Sequence, residues 1–164
     1  MTALSILPLR AEDLPFARTM LYEAVRWRGP EHAPPMEQAL ADPTLARYLT
    51  HWGRPGDAGL ILRVGDVPAG AVWLRRFAAD APGFGFVDAE TPELSIAVSA
   101  GLRGQGIGRS LLTAMLTQAR LTGLAAVSLS VEVDNPARTL YEQCGFVTVA
   151  TVEGSVTMLL DLHP

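Results

Sequence analysis

From residue 103 to 109 the chain reads Arg-Gly-Gln-Gly-Ile-Gly-Arg. Gly104, Gly106 and Gly108 allow a backbone to approach a ligand closely and to adopt positive φ without steric cost. Ile107, Leu111 and Met115, with Leu112, Leu116 and Ala119, recur at helical spacing. They predict a helix that starts in this turn, runs to about residue 121 and is stopped by Gly123. The first unpaired N–H groups of such a helix, and the positive end of its dipole, point into the turn. Arg103 and Arg109 add guanidinium charge, which hydrogen-bonds well to phosphate. The chemistry this combination fits is the binding of a phosphate-bearing ligand.

Several such ligands are disfavoured by the residues themselves. A dinucleotide fingerprint needs Gly-x-Gly-x-x-Gly, and counting from Gly104 the sixth position is Arg109. The turn also lies past the middle of the chain rather than after its first strand. There is no lysine, so neither a Walker A loop nor a Schiff base to pyridoxal phosphate can form. Net charge is −4 with no basic run, which argues against nucleic acid as a partner. The single cysteine, Cys144, excludes an internal disulfide and a multi-cysteine metal site. His32, His51 and His163 lack metal-ligand spacing, so no metal is expected. No apolar run approaches the roughly 20 residues of a membrane helix. Residues 1–10 carry no basic segment ahead of an apolar one, so no signal peptide is expected either. A cytoplasmic protein follows from these readings, with no membrane partner.

The surrounding pattern predicts the elements that must hold the turn. Residues 4–9 read as a strand. A helix follows, with Leu14, Ala17, Met20, Leu21, Ala24 and Val25 on one side. Residues 29–43, with four prolines, read as a loop around at most a short helix, and residues 44–52 as another helix. Two strands, 59–64 and 69–77, are joined at Gly65-Asp66 as a hairpin. After a loop over 78–92, a strand over 93–98 enters the glycine turn. Val127, Leu129, Val131 and Val133 alternate with Ser128, Ser130 and Glu132, which predicts a strand with one apolar and one polar side. Asn135-Pro136 starts a short helix that Gly145 ends. Two more strands close the chain. The strand–helix–strand unit over 93–133 implies a parallel crossover, and the hairpins imply antiparallel pairing. The expected fold is one α/β (α+β) domain over 1–164, a mixed, mostly antiparallel sheet flanked by helices.

Two segments together carry a resemblance. Arg103-Gly104-Gln105-Gly106-Ile107-Gly108 matches the Arg/Gln-x-x-Gly-x-Gly/Ala motif of the GNAT superfamily of N-acetyltransferases. Residues 135–146 are similar to the family's Asn-x-x-Ala-x-x-Leu-Tyr-x-x-x-Gly-Phe segment. Ala137, Leu140, Tyr141, Gly145 and Phe146 fall in register, while Asp134 holds the family's asparagine position and Asn135 comes one residue late. The resemblance implies that the central parallel strands splay around acetyl-coenzyme A, which donates its acetyl group directly to an amine. Backbone groups of Ile96 and Val98 would bind the pantetheine arm, and an N–H near Ile96 or Ala97 would face the thioester oxygen. The N–H groups of Gln105 to Arg109 would meet the pyrophosphate, helped by Arg103, Arg109 and the Ser110 hydroxyl. Asn135 either caps its helix or contacts the arm. Arg138 either reaches a coenzyme phosphate or lies on a solvated helix face.

Tyr141 aligns with the family's general acid; its alternative is a packing residue with a polar tip. For the general base, Glu93 comes first, at the start of the strand leading to the turn, where relatives often carry a catalytic glutamate. Glu132 and a water chain are the alternatives. Acceptors in the family bind where residues 27–43 and 78–92 lie here. Those loops hold Glu31, Glu37, Asp42, Asp80, Asp88 and Glu90 against Arg28 alone, so a cationic amine is the expected acceptor. Phe84 and Phe86, with Trp27, are candidate pocket residues, whereas Trp27 itself, Tyr48, Trp52 and Trp73 read first as core. A homodimer is an expected assembly in this family. A module that keeps the coenzyme site without transfer is the alternative, and the presence of Tyr141 and Glu93 argues against it.

Overall fold

The computed structural model describes residues 2–163. Strands β1 (Leu4–Pro8), β2 (Ala58–Val64), β3 (Val67–Arg75), β4 (Glu93–Val98), β5 (Ala126–Glu132), β6 (Val147–Val152) and β7 (Ser155–Asp161) form one sheet in the order β1-β2-β3-β4-β5-β7-β6. Every neighbouring pair is antiparallel except β4–β5. Gly65-Asp66 makes the β2–β3 turn, with Gly65 at φ 61°, the left-handed conformation such a two-residue turn requires.

The two faces of the sheet carry separate cores. On one lies α4 (Ile107–Leu121), whose buried residues are the six the spacing selects: Ile107, Leu111, Leu112, Met115, Leu116 and Ala119. Burying each of the larger ones is worth about 1.5–3 kcal/mol. They pack on Leu60, Leu62, Val72 and Leu94, together with α5 (Ala137–Gln143). Gly70 of β3 makes this close approach possible. A Cβ there would stand 2.9 Å from a Leu111 methyl and 3.1 Å from the Ala97 carbonyl oxygen. On the other face, α1 (Leu14–Val25), α2 (Met36–Ala41) and α3 (Pro43–Ala46) cover Ala71 and Trp73.

The region before β2 differs from the pattern-based reading in one element. The proline-rich stretch holds a short helix, α2, of six residues after a 3₁₀ turn at Pro30–His32, as expected, but the helix expected over 44–52 is regular only to Ala46. Its start follows from its residues, since Asp42 accepts from the Thr44 N–H at 2.9 Å and Pro43 fills the first turn. Its end follows from the tertiary structure. The Arg75 guanidinium takes the Arg47 and Thr50 carbonyls at 2.9 and 2.6 Å, and His51 turns to φ 55°. Arg75 itself is fully buried and makes a two-pronged pair with Asp57, at 3.0 and 2.7 Å. The second Asp57 oxygen also accepts from the N–H groups of Gly53 and Arg54. Five polar groups of the 47–57 segment are thus fixed to the end of β3.

Asp57→Ala should therefore destabilise the protein by about 3–5 kcal/mol, because it leaves a buried guanidinium without its counter-charge. Urea unfolding of the two proteins measures the difference.

Candidate active site

Strands β4 and β5 pair at one position, Glu93 opposite Ser128, beside a hydrogen bond from the Ser128 N–H to the Pro92 carbonyl at 3.0 Å. Past that point no ladder joins them, although β4 stays paired with β3 to Val98 and β5 with β7 to Glu132. A V-shaped gap opens between residues 94–98 and 129–132, and the backbone edges facing it need partners from elsewhere.

The glycine turn sits at the mouth of this gap. Gly104 and Gly106 have φ of 78° and 82°, and a Cβ on either would meet nothing within 4 Å. They are required for backbone conformation, not for space. Gly106 caps α4 in the left-handed conformation, and no side chain caps the helix. A Cβ on Gly108 would meet Val98 and Leu140 at 3.8 and 3.9 Å, ordinary contact distances. Gln105, Arg109 and Ser110 are exposed. Arg103 reaches across to Glu23 of α1 at 3.0 Å, and its side chain remains 42% exposed. Arg109 donates to Gln143 of α5. Both guanidiniums thus have a protein partner while staying beside the turn.

Tyr141 lies in α5 and is buried against the α4-side core, its ring 6.0 Å from that of Phe146. Its hydroxyl has no hydrogen-bond partner among the described residues. Burial pushes its pKa above the usual phenol value, so the hydroxyl keeps its proton. Asn135 accepts from the Ala137 N–H at 2.9 Å, which is the helix-capping role. Arg138 approaches Glu142 at 3.1 Å and Thr148 at 3.5 Å, on the side of α5 facing β6. There a surface cavity of about 330 Å³ is lined by Phe146 and Met158.

Glu93 belongs to the opposite face. Its side chain is buried; Oε1 accepts from the Tyr48 hydroxyl and, at 2.9 Å, from the Gly85 N–H. Oε2 has no partner. Burial pushes the carboxyl up to about 7, against the two donors, which pull it down. Ser128, its partner in register, is fully buried with an unpartnered hydroxyl. Above them lies the 78–92 loop. A Cβ on Gly83 would stand 2.0 Å from Glu93 Oε2, and one on Gly85 would stand 2.5 Å from the Leu129 carbonyl carbon. Glu132, the other base candidate, is held by Arg28 at 2.9 Å, and Arg28 also meets Asp134 at 2.6 Å. The one arginine of the acceptor loops is therefore neutralised. Phe84 is exposed and stacks on Tyr48, Phe86 packs into the second core, and Trp27 lies under Arg28.

The fold and these elements correspond to a known architecture. The model of the acetyltransferase (GNAT) family matches residues 19–146. The chain belongs to the GNAT acetyltransferase family. A mycothiol acetyltransferase of Corynebacterium aurimucosum is 36% identical over 112 residues, 68% of this chain and 33% of the relative. The GNAT chain thus spans about a third of that curated relative's length. Among solved structures, the ribosomal-protein-S18-alanine N-acetyltransferase of Escherichia coli superposes with a TM-score of 0.68 at 22% identity, covering 98% of this chain and 94% of the other. The Salmonella typhimurium protein yncA, solved with its cofactor acetyl-CoA, gives 0.67 at 21% identity over 98% and 95% of the two chains. No helix among the described residues is long and apolar enough to cross a membrane.

The sequence singles out Tyr141, Glu93 and the turn as candidates, and gives no sign of what surrounds Glu93. Tyr48 read as core; it is buried, yet its hydroxyl is spent on Glu93, 45 positions away. Gly83 and Gly85 read as loop composition, and no local pattern marks them as backbone packed against a carboxylate and a strand. Trp52 and Trp27 are only partly buried, in contrast to Trp73.

The raised Glu93 pKa has a consequence for stability. Its ordinary value is 4.5 and its folded value about 7, so the folded protein holds the proton more tightly than the unfolded chain. The contribution is full below pH 4.5 and is lost as pH rises through 7, at about 1.4 kcal/mol per unit of pKa difference. Glu93→Gln should flatten this decline between pH 5 and 8, as measured by urea unfolding at each pH.

Proposed function

We propose that this protein transfers an acetyl group from acetyl-coenzyme A to a primary amine of a small molecule or peptide, by direct attack with both substrates bound. The observation that carries the reading is the placement of Tyr141 and Glu93 in the cores on opposite faces of the sheet, with the β4–β5 gap between them. A thioester held in that gap has a protonated hydroxyl on one side and a carboxyl poised near neutrality on the other. The fit to the coenzyme rests on the α4 terminus that no side chain caps, the left-handed glycines of the turn and the unpaired strand edges. The coenzyme, when bound, supplies an activated acyl group.

The chain's own residues have distinct tasks in this reading. The N–H groups of Gln105 to Arg109, with Arg103, Arg109 and the Ser110 hydroxyl, hold the pyrophosphate. Backbone groups of Ile96 and Val98 hold the pantetheine arm in place of a strand partner. An N–H near Ile96 or Ala97 donates to the thioester oxygen as it gains charge. Glu93 takes a proton from the acceptor, because an ammonium group has no lone pair with which to attack. A base poised near 7 is half-ionised at neutral pH and can act reversibly. Tyr141 donates to the departing thiolate. Asn135 is left to its capping role, and Arg138 to a phosphate at the α5 end.

The acceptor reading rests on charge. With Arg28 held by Glu132 and Asp134, the exposed carboxylates Glu37, Asp80 and Glu90 face no arginine from the acceptor loops. Such a surface attracts a cation and disfavours an anionic acceptor.

Calorimetry should detect acetyl-coenzyme A binding, weakened at least tenfold by Arg109→Ala through the loss of a charge-assisted hydrogen bond. In a screen of amines, amino acids and peptides, with thiol release as the readout, Tyr141→Phe should lower kcat by about 10²-fold with little change in KM. Turnover of non-amine acceptors alone would remove the amine reading.

A further inference from the structure

Carboxylates used as bases need more than a raised pKa. They need one oxygen oriented and free. Glu93 meets that condition through contacts that neither its own strand nor the glycine turn provides. Oε1 receives two donors, the Tyr48 hydroxyl from the segment after α3 and the Gly85 N–H from the 78–92 loop, whereas Oε2 receives none. The Tyr48 oxygen is itself shared, since it also accepts from the Phe84 N–H at 2.7 Å. Its ring stacks on Phe84 at 6.0 Å and meets Phe77 edge-on at 5.0 Å. The hydroxyl therefore links the base to the Phe84 amide, while the next amide, Gly85, donates to the base directly, and Gly83 lies over Oε2.

We propose that Tyr48 is a positioning residue for Glu93: its hydroxyl pins Oε1 and holds the 78–92 loop over the carboxyl, leaving Oε2 as the oxygen without a donor of its own. This rests on Glu93 being the base. The surroundings isolate the contact. Arg75, opposite Glu93 in register, spends its guanidinium on Asp57 and on the Arg47 and Thr50 carbonyls. Arg47 donates to the Pro82 carbonyl at 2.7 Å. From β5 comes Ser128, and from the loop come Gly83 and Gly85, none of which titrates. Tyr48 is the titratable group in hydrogen-bond contact with the carboxyl. Its own pKa is raised by burial and by the charge of Glu93, so it remains a donor while Glu93 ionises.

The contact can be tested without knowing the acceptor. Glutamate carrying ¹³C in the side-chain carboxyl reports each titration by NMR, and the Glu93 signal is identified by its loss in Glu93→Gln. Unaltered protein should show a midpoint near 7. Tyr48→Phe removes a donor to the carboxylate, so the midpoint should rise by about half a unit to one unit. Placing 3-fluorotyrosine at position 48 keeps the shape and strengthens the donor, so the midpoint should fall; this protein decides the matter alone if Tyr48→Phe does not fold. A midpoint unmoved by the fluorinated residue would overturn the role of Tyr48. With the best amine from the screen, the acid limb of kcat/KM should move with the NMR midpoint. A limb that stays fixed while the midpoint moves would remove Glu93 as the base, and the proposal with it.

Discussion

Strands β4 and β5 share one ladder position and then part, while each remains fully paired on its other side. The rest of the molecule is arranged around that divergence. Unpaired strand edges inside a sheet are costly unless something else satisfies them, and here the gap ends at a glycine turn whose amides and helix terminus are likewise left open. Both features are deficits in the folded chain taken alone. Both are of the kind that an extended, amide-containing, phosphate-ended ligand would fill. The antiparallel pairs on either side keep the gap open, because β3 and β7 hold their neighbours in register to the end of each strand.

The same divergence gives the two faces different chemistry. The α4 face is apolar apart from the buried Tyr141. The other face carries buried polar groups at the root of the gap: Glu93, Tyr48, Ser128 and, beside them, the Arg75–Asp57 pair. Placing an ion pair there is expensive, and it earns no obvious stability over an apolar alternative. What it does is fix the backbone of residues 47–57, and so the position of Tyr48. The strand end, the irregular α3 segment and the loop over 78–92 thus form one connected polar unit with Glu93 inside it.

Local pattern determined much of this chain. The strand and helix periods, the hairpin at Gly65-Asp66, the N-cap at Asn135 and the apolar face of α4 are short-range properties, decided by steric and hydrophobic preferences within a few residues. The glycine turn was legible for the same reason: Gly104 and Gly106 are needed for their φ, a demand made by the residue's own backbone. Two motifs in the right order then made the family readable, and with it the roles expected of Tyr141 and Glu93.

Tertiary structure decided the rest, because the deciding contacts join residues far apart in sequence. The early end of α3 goes with Arg75 capturing the Arg47 and Thr50 carbonyls just beyond it, which no helical propensity reports. Ser128 looked like the polar side of a half-solvated strand and became fully buried, because the 78–92 loop folds over it. Glu132 and Glu93 were comparable as acids in the sequence; one is neutralised by Arg28 and the other is enclosed under Gly83 and bonded to Tyr48. Sequence alone settled which residues carry ionisable groups and which backbone points can bend. The environment of each group, and so its protonation and direction, was settled by packing, since desolvation and hydrogen bonding act through space rather than along the chain.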